Sequence, residues 1–150
     1  KVGGKPNIGE TVIYKLLYFI DFNFYEKYET QFIGATYIKN HHGPSPVEFK
    51  KIVDTMINKD LIMVSSKYFD YPQKKYVALR EVDPSELSGT EIEMIDHVLN
   101  QLSDMSAAQI ADYSHKDVPW MTAEYGKKIE YESVFYRTPS YSVRDYGDKD

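Results

Sequence analysis

The segment ETVIYKLLYFIDFNFYEKY, Glu10–Tyr28, constrains the fold more than any other stretch. Val12, Ile13, Leu16, Leu17, Phe19, Ile20 and Phe24 recur at helical spacing and cover most of a helix circumference. A helix that is apolar on nearly every side must be wrapped, so the remaining chain is expected to pack around it. Lys15, Asp21 and Asn23 interrupt the run. Asp21 has two readings: an exposed or capped carboxylate, or a buried acceptor that holds a neighbouring loop, since an unpaired buried charge is costly.

The elements that follow are short. FIGATYIK reads as extended structure after a turn at Gly34. In HHGPSPVEF, Ser45 is expected as N-cap, Pro46 at the first helical position and Glu48 three residues after the cap. This capping box would open a helix to about Asn58 with Phe49, Ile52, Val53, Met56 and Ile57 inward. A β-hairpin is expected next, with arms Leu61–Ser66 and Tyr76–Leu79 and Asp70-Tyr71-Pro72-Gln73 near its turn. Asp83-Pro84 opens a helical turn. Ser88-Gly89-Thr90-Glu91 is a second capping box, before a helix to about Leu102 with Ile92, Ile95, Val98, Leu99 and Leu102 inward. Ser106-Ala107-Ala108-Gln109 starts another helix, ending near Tyr113. Asp117 is expected to cap a short helix around Pro119–Glu124 that Gly126 breaks, and Tyr131–Phe135 reads as a strand or short helix. The expected architecture is α+β and mostly α: a compact helical domain around a buried first helix, with one small β-hairpin. Residues 1–9 read as a flexible arm or linker, 10–145 as a single domain and 146–150 as a frayed tail.

The 150 residues suit one ordinary domain. No apolar run approaches the length of a membrane span. The absence of cysteine excludes disulfides, thiolate metal sites and a Cys nucleophile, and is consistent with the cytoplasm. The net charge of −5 argues against duplex DNA as the main partner, because phosphate binding usually requires a basic footprint. The 14 tyrosines suit either core margins or a wet protein interface, since Tyr joins a large apolar body to a polar tip.

His41, His42, His97 and His115 lack the spacing of a metal site, and adjacent histidines in an extended segment point to opposite sides. No metal or other cofactor is therefore expected. Ser114, His115 and Asp117 have the residue types of a hydrolytic triad, but no nucleophile-elbow motif accompanies them, and they read more simply as loop and capping residues. No phosphate-binding glycine motif occurs. No catalytic residue is assigned, and the chain is not expected to be an enzyme. A helix over Ser45–Asn58 followed by a hairpin is also the order of a winged helix. In that alternative, a DNA-binding transcriptional regulator, Lys50, Lys51, Lys74 and Lys75 would contact phosphates; otherwise they are solvated surface.

Three stretches taken in order, YKLLYFIDFNFYEKYE, ATYIKNHHGPSPVEF and YSHKDVPW, resemble the SocA-like antitoxin family, also called the Panacea domain. The resemblance runs from about Val12 to Tyr136. It implies a mostly helical prokaryotic or phage-associated domain of a toxin–antitoxin system. Such a domain neutralises a cognate toxin by direct protein–protein binding, either blocking it or presenting it to a protease. Some members carry an additional helix-turn-helix region, and the Met-less start at Lys1 is consistent with one upstream. Carried over by motif, the positions of interest are Tyr18 and Asp21; Tyr37, Lys39, His42, Gly43, Pro44 and Pro46; and Ser114, His115, Pro119 and Trp120. Together with His41 they are expected to form one partner-binding or motif cluster. His42 is expected to pack toward Asp21, with His115 and Trp120 closing the region and His41 left for solvent or a partner.

Overall fold

The computed structural model describes residues 1–147. Helix α1 (Glu10–Tyr28) runs through the centre, and most of its side chains from Val12 to Glu26 are buried. It ends on Glu29, whose φ of 55° places it in the left-handed region and closes the helix through its N–H to the Tyr25 carbonyl. Around it lie α3 (Gly89–Leu102), α4 (Ala107–His115), α5 (Val118–Thr122) and a 3-10 segment at Tyr131–Tyr136. This is the mostly α, α+β architecture that the sequence predicts.

The core is aromatic. Tyr18 packs against Phe22 and Tyr37, with ring centroids 4.4 and 5.8 Å away, and Phe22 stacks on Tyr131 at 4.3 Å. Ile8, Val98, Ile110, Ile129 and Val134 fill the space between these rings and the outer helices.

Both later capping boxes form. Ser88 accepts the Glu91 N–H while Glu91 accepts the Ser88 N–H, and Ser106 and Gln109 do the same at the start of α4. In α3 the fully buried side chains are Met94, Val98 and Leu102, with Ile92, Ile95 and Leu99 half-buried. Asp83 caps its helical turn through the Ser85 N–H.

The box expected at Ser45 does not form. Residues Gly43–Pro46 are a strand, β2, paired antiparallel with β1 (Tyr37–Asn40), and His41-His42 is the two-residue turn between them. Helix α2 therefore starts at Phe49 and ends at Met56. Glu48 is recruited elsewhere, its carboxylate accepting the Thr36 N–H at 2.9 Å. Pro44 and Pro46 fit the strand because they face Lys39 and Tyr37. Those residues spend their backbone groups on the opposite edge, where Lys39 N–H donates to Lys127 O and Ile129 N–H to Tyr37 O. In α2 only Val53 is buried, and Ile52 is 50% exposed, so the expected inward stripe is largely absent.

The second hairpin is longer than expected. β3 (Leu61–Tyr68) and β4 (Tyr71–Ala78) meet at a two-residue turn, Phe69-Asp70, with φ of 49° and 68°. Tyr71, Pro72 and Gln73 thus belong to the strand and not to the turn. Strand β4 holds the segment ahead of α1: Lys75 Nζ donates to Lys5 O and Ile8 O, and Gln73 Nε2 to Pro6 O. Asn7 donates to Ser103 O and Met105 O, and Ile8 is fully buried, so residues expected as a free arm are docked on the domain.

The carboxyl-terminal segment is tied to α1 by a buried ion cluster. Arg137 donates to both carboxylate oxygens of Asp117 at 2.9 and 2.7 Å, to Glu26 at 3.1 Å and to Asn23 at 2.8 Å. Burial opposes the Arg137 charge, but Asp117 and Glu26 outweigh it and hold its pKa above the ordinary value. Glu26 also accepts from Ser142, the Val143 N–H and Tyr146. Of the tail expected to fray, Tyr146 is thus tied to α1 by a hydrogen bond, and residues 148–150 lie outside the described residues.

Removing one partner of such a cluster leaves the others charged and buried. Arg137→Met is therefore expected to cost about 3–5 kcal/mol in urea unfolding at pH 7. A loss below about 1 kcal/mol would show that the cluster is not coupled to folding.

Candidate functional site

The residues singled out from sequence divide into an architectural group and a surface group. Asp21 belongs to the first. It is fully buried, and accepts from the Ile33 N–H at 2.7 Å, the Gly34 N–H at 3.1 Å, the Ala35 N–H at 3.4 Å, Tyr37 OH at 2.8 Å and Tyr131 OH at 3.3 Å. Of its two readings, the buried acceptor is the one realised. Burial pushes its carboxyl up, against the pull of these hydrogen bonds. Tyr18 OH donates to Asp117 at 2.8 Å. Tyr18, Asp21 and Tyr37 therefore hold the loops and the tail to α1.

The surface group is built by the β1–β2 hairpin, the end of α4, α5 and Tyr125. Lys39 is 7% exposed. Its Nζ lies 4.2 Å from the Trp120 ring centroid and 4.5 Å from that of Tyr125, and donates to Ala123 O at 3.0 Å and Met121 O at 3.4 Å. His115 stacks on the other ring surface available at Trp120, with centroids 4.2 Å apart, and His41 stacks on Tyr125 at 4.8 Å. Ile38, Lys39, Asn40, His41, Tyr125 and Gly126 line an open cavity of about 390 Å³. Trp120 Nε1 and His115 Nε2 are buried and have no hydrogen-bond partner among the described residues.

Lys15 reaches the same region from α1. Gly43, at φ 125°, lies so close that a Cβ there would sit 2.7 Å from Lys15 Cε and 3.2 Å from Ser114 Oγ. Lys15 is 3% exposed and, among the described residues, its Nζ donates only to Thr11 O, at 3.1 Å. Burial brings its pKa down to about 8. Burial also lowers the pKa of His115, followed by the charge of Lys15; Lys39 and His42 lower it further, and Asp112 opposes. One electropositive neighbourhood thus spans all three motifs.

Several expectations are corrected here. His42 is exposed and does not reach Asp21, whose acceptor capacity is filled by backbone N–H groups and tyrosines. Asp21, His42 and His115 do not form one cluster. His41 and His42 are both on the outside because they form a turn, not a strand. Pro44 is buried beneath that turn. Asp117 makes no side-chain cap on α5, because Arg137 and Tyr18 occupy its carboxylate. Ser114 donates to Ala111 O, so Ser114, His115 and Asp117 are not linked as a relay. Lys75 points its ammonium at Lys5 and Ile8 carbonyls, which removes it from any phosphate-binding face; Lys50 pairs with Asp54 at 3.7 Å, and Lys51 and Lys74 are exposed. Among the described residues, no three His, Asp or Glu side chains gather as metal ligands would.

Sequence reasoning missed Lys15, Tyr125, Tyr131 and Arg137 as site or network members. Lys15 carried a usable signal, a charge inside a helix apolar on every side. Tyr125 and Arg137 had none, since their roles depend on contacts far along the chain.

These features define a small, mostly helical domain that presents a recessed cation walled by aromatic rings. The family model described as antitoxin SocA-like, Panacea domain, matches residues 13–121, and the chain belongs to that family. The match includes α1, both hairpins and Trp120; Tyr125, Tyr131 and Arg137 lie beyond it. No curated protein and no solved structure matches the chain. No helix among the described residues is long and apolar enough to cross a membrane.

The lowered Lys15 pKa has a definite sign for stability. The folded state binds the Lys15 proton less tightly than the unfolded chain, so stability rises as pH passes from about 8 to 10.5. Lys15→Met is expected to be more stable than the wild type by about 2 kcal/mol at pH 7. That gap should shrink by pH 10, and paired urea titrations at both pH values measure it. A gap that stays constant would show that Lys15 titrates normally.

Proposed function

We propose that this domain is a non-enzymatic antitoxin that neutralises a cognate toxin by direct binding, in the cytoplasm of a prokaryotic or phage-infected cell. The observation that carries the reading is the surface around Lys39. Trp120 and Tyr125 wall a recessed cation, His41 extends the wall, and the Trp120 and His115 nitrogens lack partners. Aromatic anchors at the centre of a polar rim are the usual source of binding energy at protein interfaces. Membership of the antitoxin family supports a toxin as the partner. Neutralisation by blocking the toxin and neutralisation by presenting it to a protease both begin with this contact. An upstream helix-turn-helix region, where one is joined to the domain, would add operator binding to the same function.

Co-expression with the product of the adjacent reading frame tests the proposal. Growth rescue and co-purification are expected; neither occurring would reject it. The double substitution His41→Ala with Met121→Ala removes exposed side chains at the rim. It is expected to weaken the complex at least about tenfold. The thermal melting midpoint of the free domain should stay where it is. An undiminished complex would move the interface elsewhere.

A further inference from the structure

The buried charges of this domain are compensated around the second half of α1, at Asp21 and Glu26, and left without an opposite charge around its first half, at Lys15. Asp21, Glu26, Asp117 and Arg137 each have charged or hydrogen-bonding partners that fill their capacity. Lys15 and Lys39 are equally buried, yet neither has a carboxylate partner within ion-pair distance among the described residues. Among the described residues their only acceptors are backbone carbonyls. Proteins seldom bury an ammonium without an opposite charge, because desolvation is not repaid by neutral dipoles alone. The same place holds the buried, unpartnered Trp120 Nε1–H, a donor that requires an acceptor, and a residue 7% exposed. Two cations and an orphan donor share one deficiency: the missing group is an anion that accepts hydrogen bonds.

We propose that Lys39, Trp120 and His115, backed by Lys15, form a socket for a single carboxylate, supplied by an aspartate or glutamate side chain of the partner protein. This deepens the toxin-binding reading and rests on it for the identity of the partner. The cavity lined by His41 and Tyr125 reaches Lys39, and Tyr125, 57% exposed, is its solvent-facing wall. A single carboxylate matches a single recessed ammonium, which lies over two aromatic rings set at 88° to each other. A polyanion such as duplex DNA is disfavoured by the overall charge of −5 and by Asp112, whose charge acts on His115.

Trp120 is the lone tryptophan, so its indole N–H is a site-specific probe. The isotope-labelled full chain is titrated with the blocked peptide acetyl-Glu-Glu-Glu-amide and with its glutamine counterpart. The glutamate peptide is expected to shift the indole proton downfield, and the glutamine peptide to leave it in place. Lys39→Met should abolish the shift while its melting temperature equals or exceeds that of the wild type. A merely structural lysine would instead lower the melting temperature on removal. The socket is overturned if no shift appears at about 10 mM glutamate peptide. It is also overturned if the glutamine peptide, inorganic phosphate or duplex DNA shifts the indole equally. With the toxin, Lys39→Met is expected to weaken co-purification more than tenfold. A wild-type complex that Lys39→Met leaves intact overturns the socket and spares toxin binding. If the wild type itself fails to hold the toxin, that reading falls, and the peptide titration alone decides the socket.

Discussion

Burial of α1 on all sides is the constraint from which the rest of the domain follows. Its apolar residues recruit α3, α4 and the Tyr131–Tyr136 segment, but its polar residues set the detailed arrangement. A carboxylate in the middle of a wrapped helix has to be satisfied where it stands. Asp21 gathers the 33–35 loop and two tyrosines around itself, and Glu26 gathers Arg137 and the 142–146 segment. Segments without regular secondary structure are thereby fixed by side-chain acceptors on a helix, a role that sheet ladders take in other folds.

The candidate site uses the same helix in the opposite sense. Lys15 enters the hairpin region with no counter-charge among the described residues, Gly43 makes room for it, and Lys39 repeats the situation over two rings. The domain accepts a cost in stability at this one place. Native proteins tend to concentrate such costs where they bind or react, and strain or unsatisfied polarity elsewhere is rare.

Much of the fold was legible in the sequence. The all-round apolar pattern located α1, and reciprocal capping residues located α3 and α4, because both signals are local. The Ser45–Glu48 pattern has the same residue types and fails. The Thr36 N–H competes for Glu48, and β1 competes for the Gly43–Pro46 backbone, and neither competitor is sequence-adjacent. Within the site, two of the three motifs come together as expected, through Lys39, His41, His115 and Trp120, while Tyr18 and Asp21 of the first are architectural. Which residues were architectural was not legible. Asp21 and His42 lie in adjacent motifs, yet one is a buried acceptor and the other an exposed turn residue, and the difference turns on His41-His42 being a tight turn. Arg137 could not be read at all, because an arginine in an irregular polar segment has no periodicity to mark its burial.

The Arg137 cluster has a consequence for the order of events in synthesis. Its bonds to Glu26 and Asn23 span 111 and 114 residues. While a nascent chain is being extended, α1 carries carboxylates whose cation has yet to leave the ribosome. The domain therefore has to wait for Arg137 before its core can close, and the surface around Lys15 and Trp120, mounted on that core, matures with it.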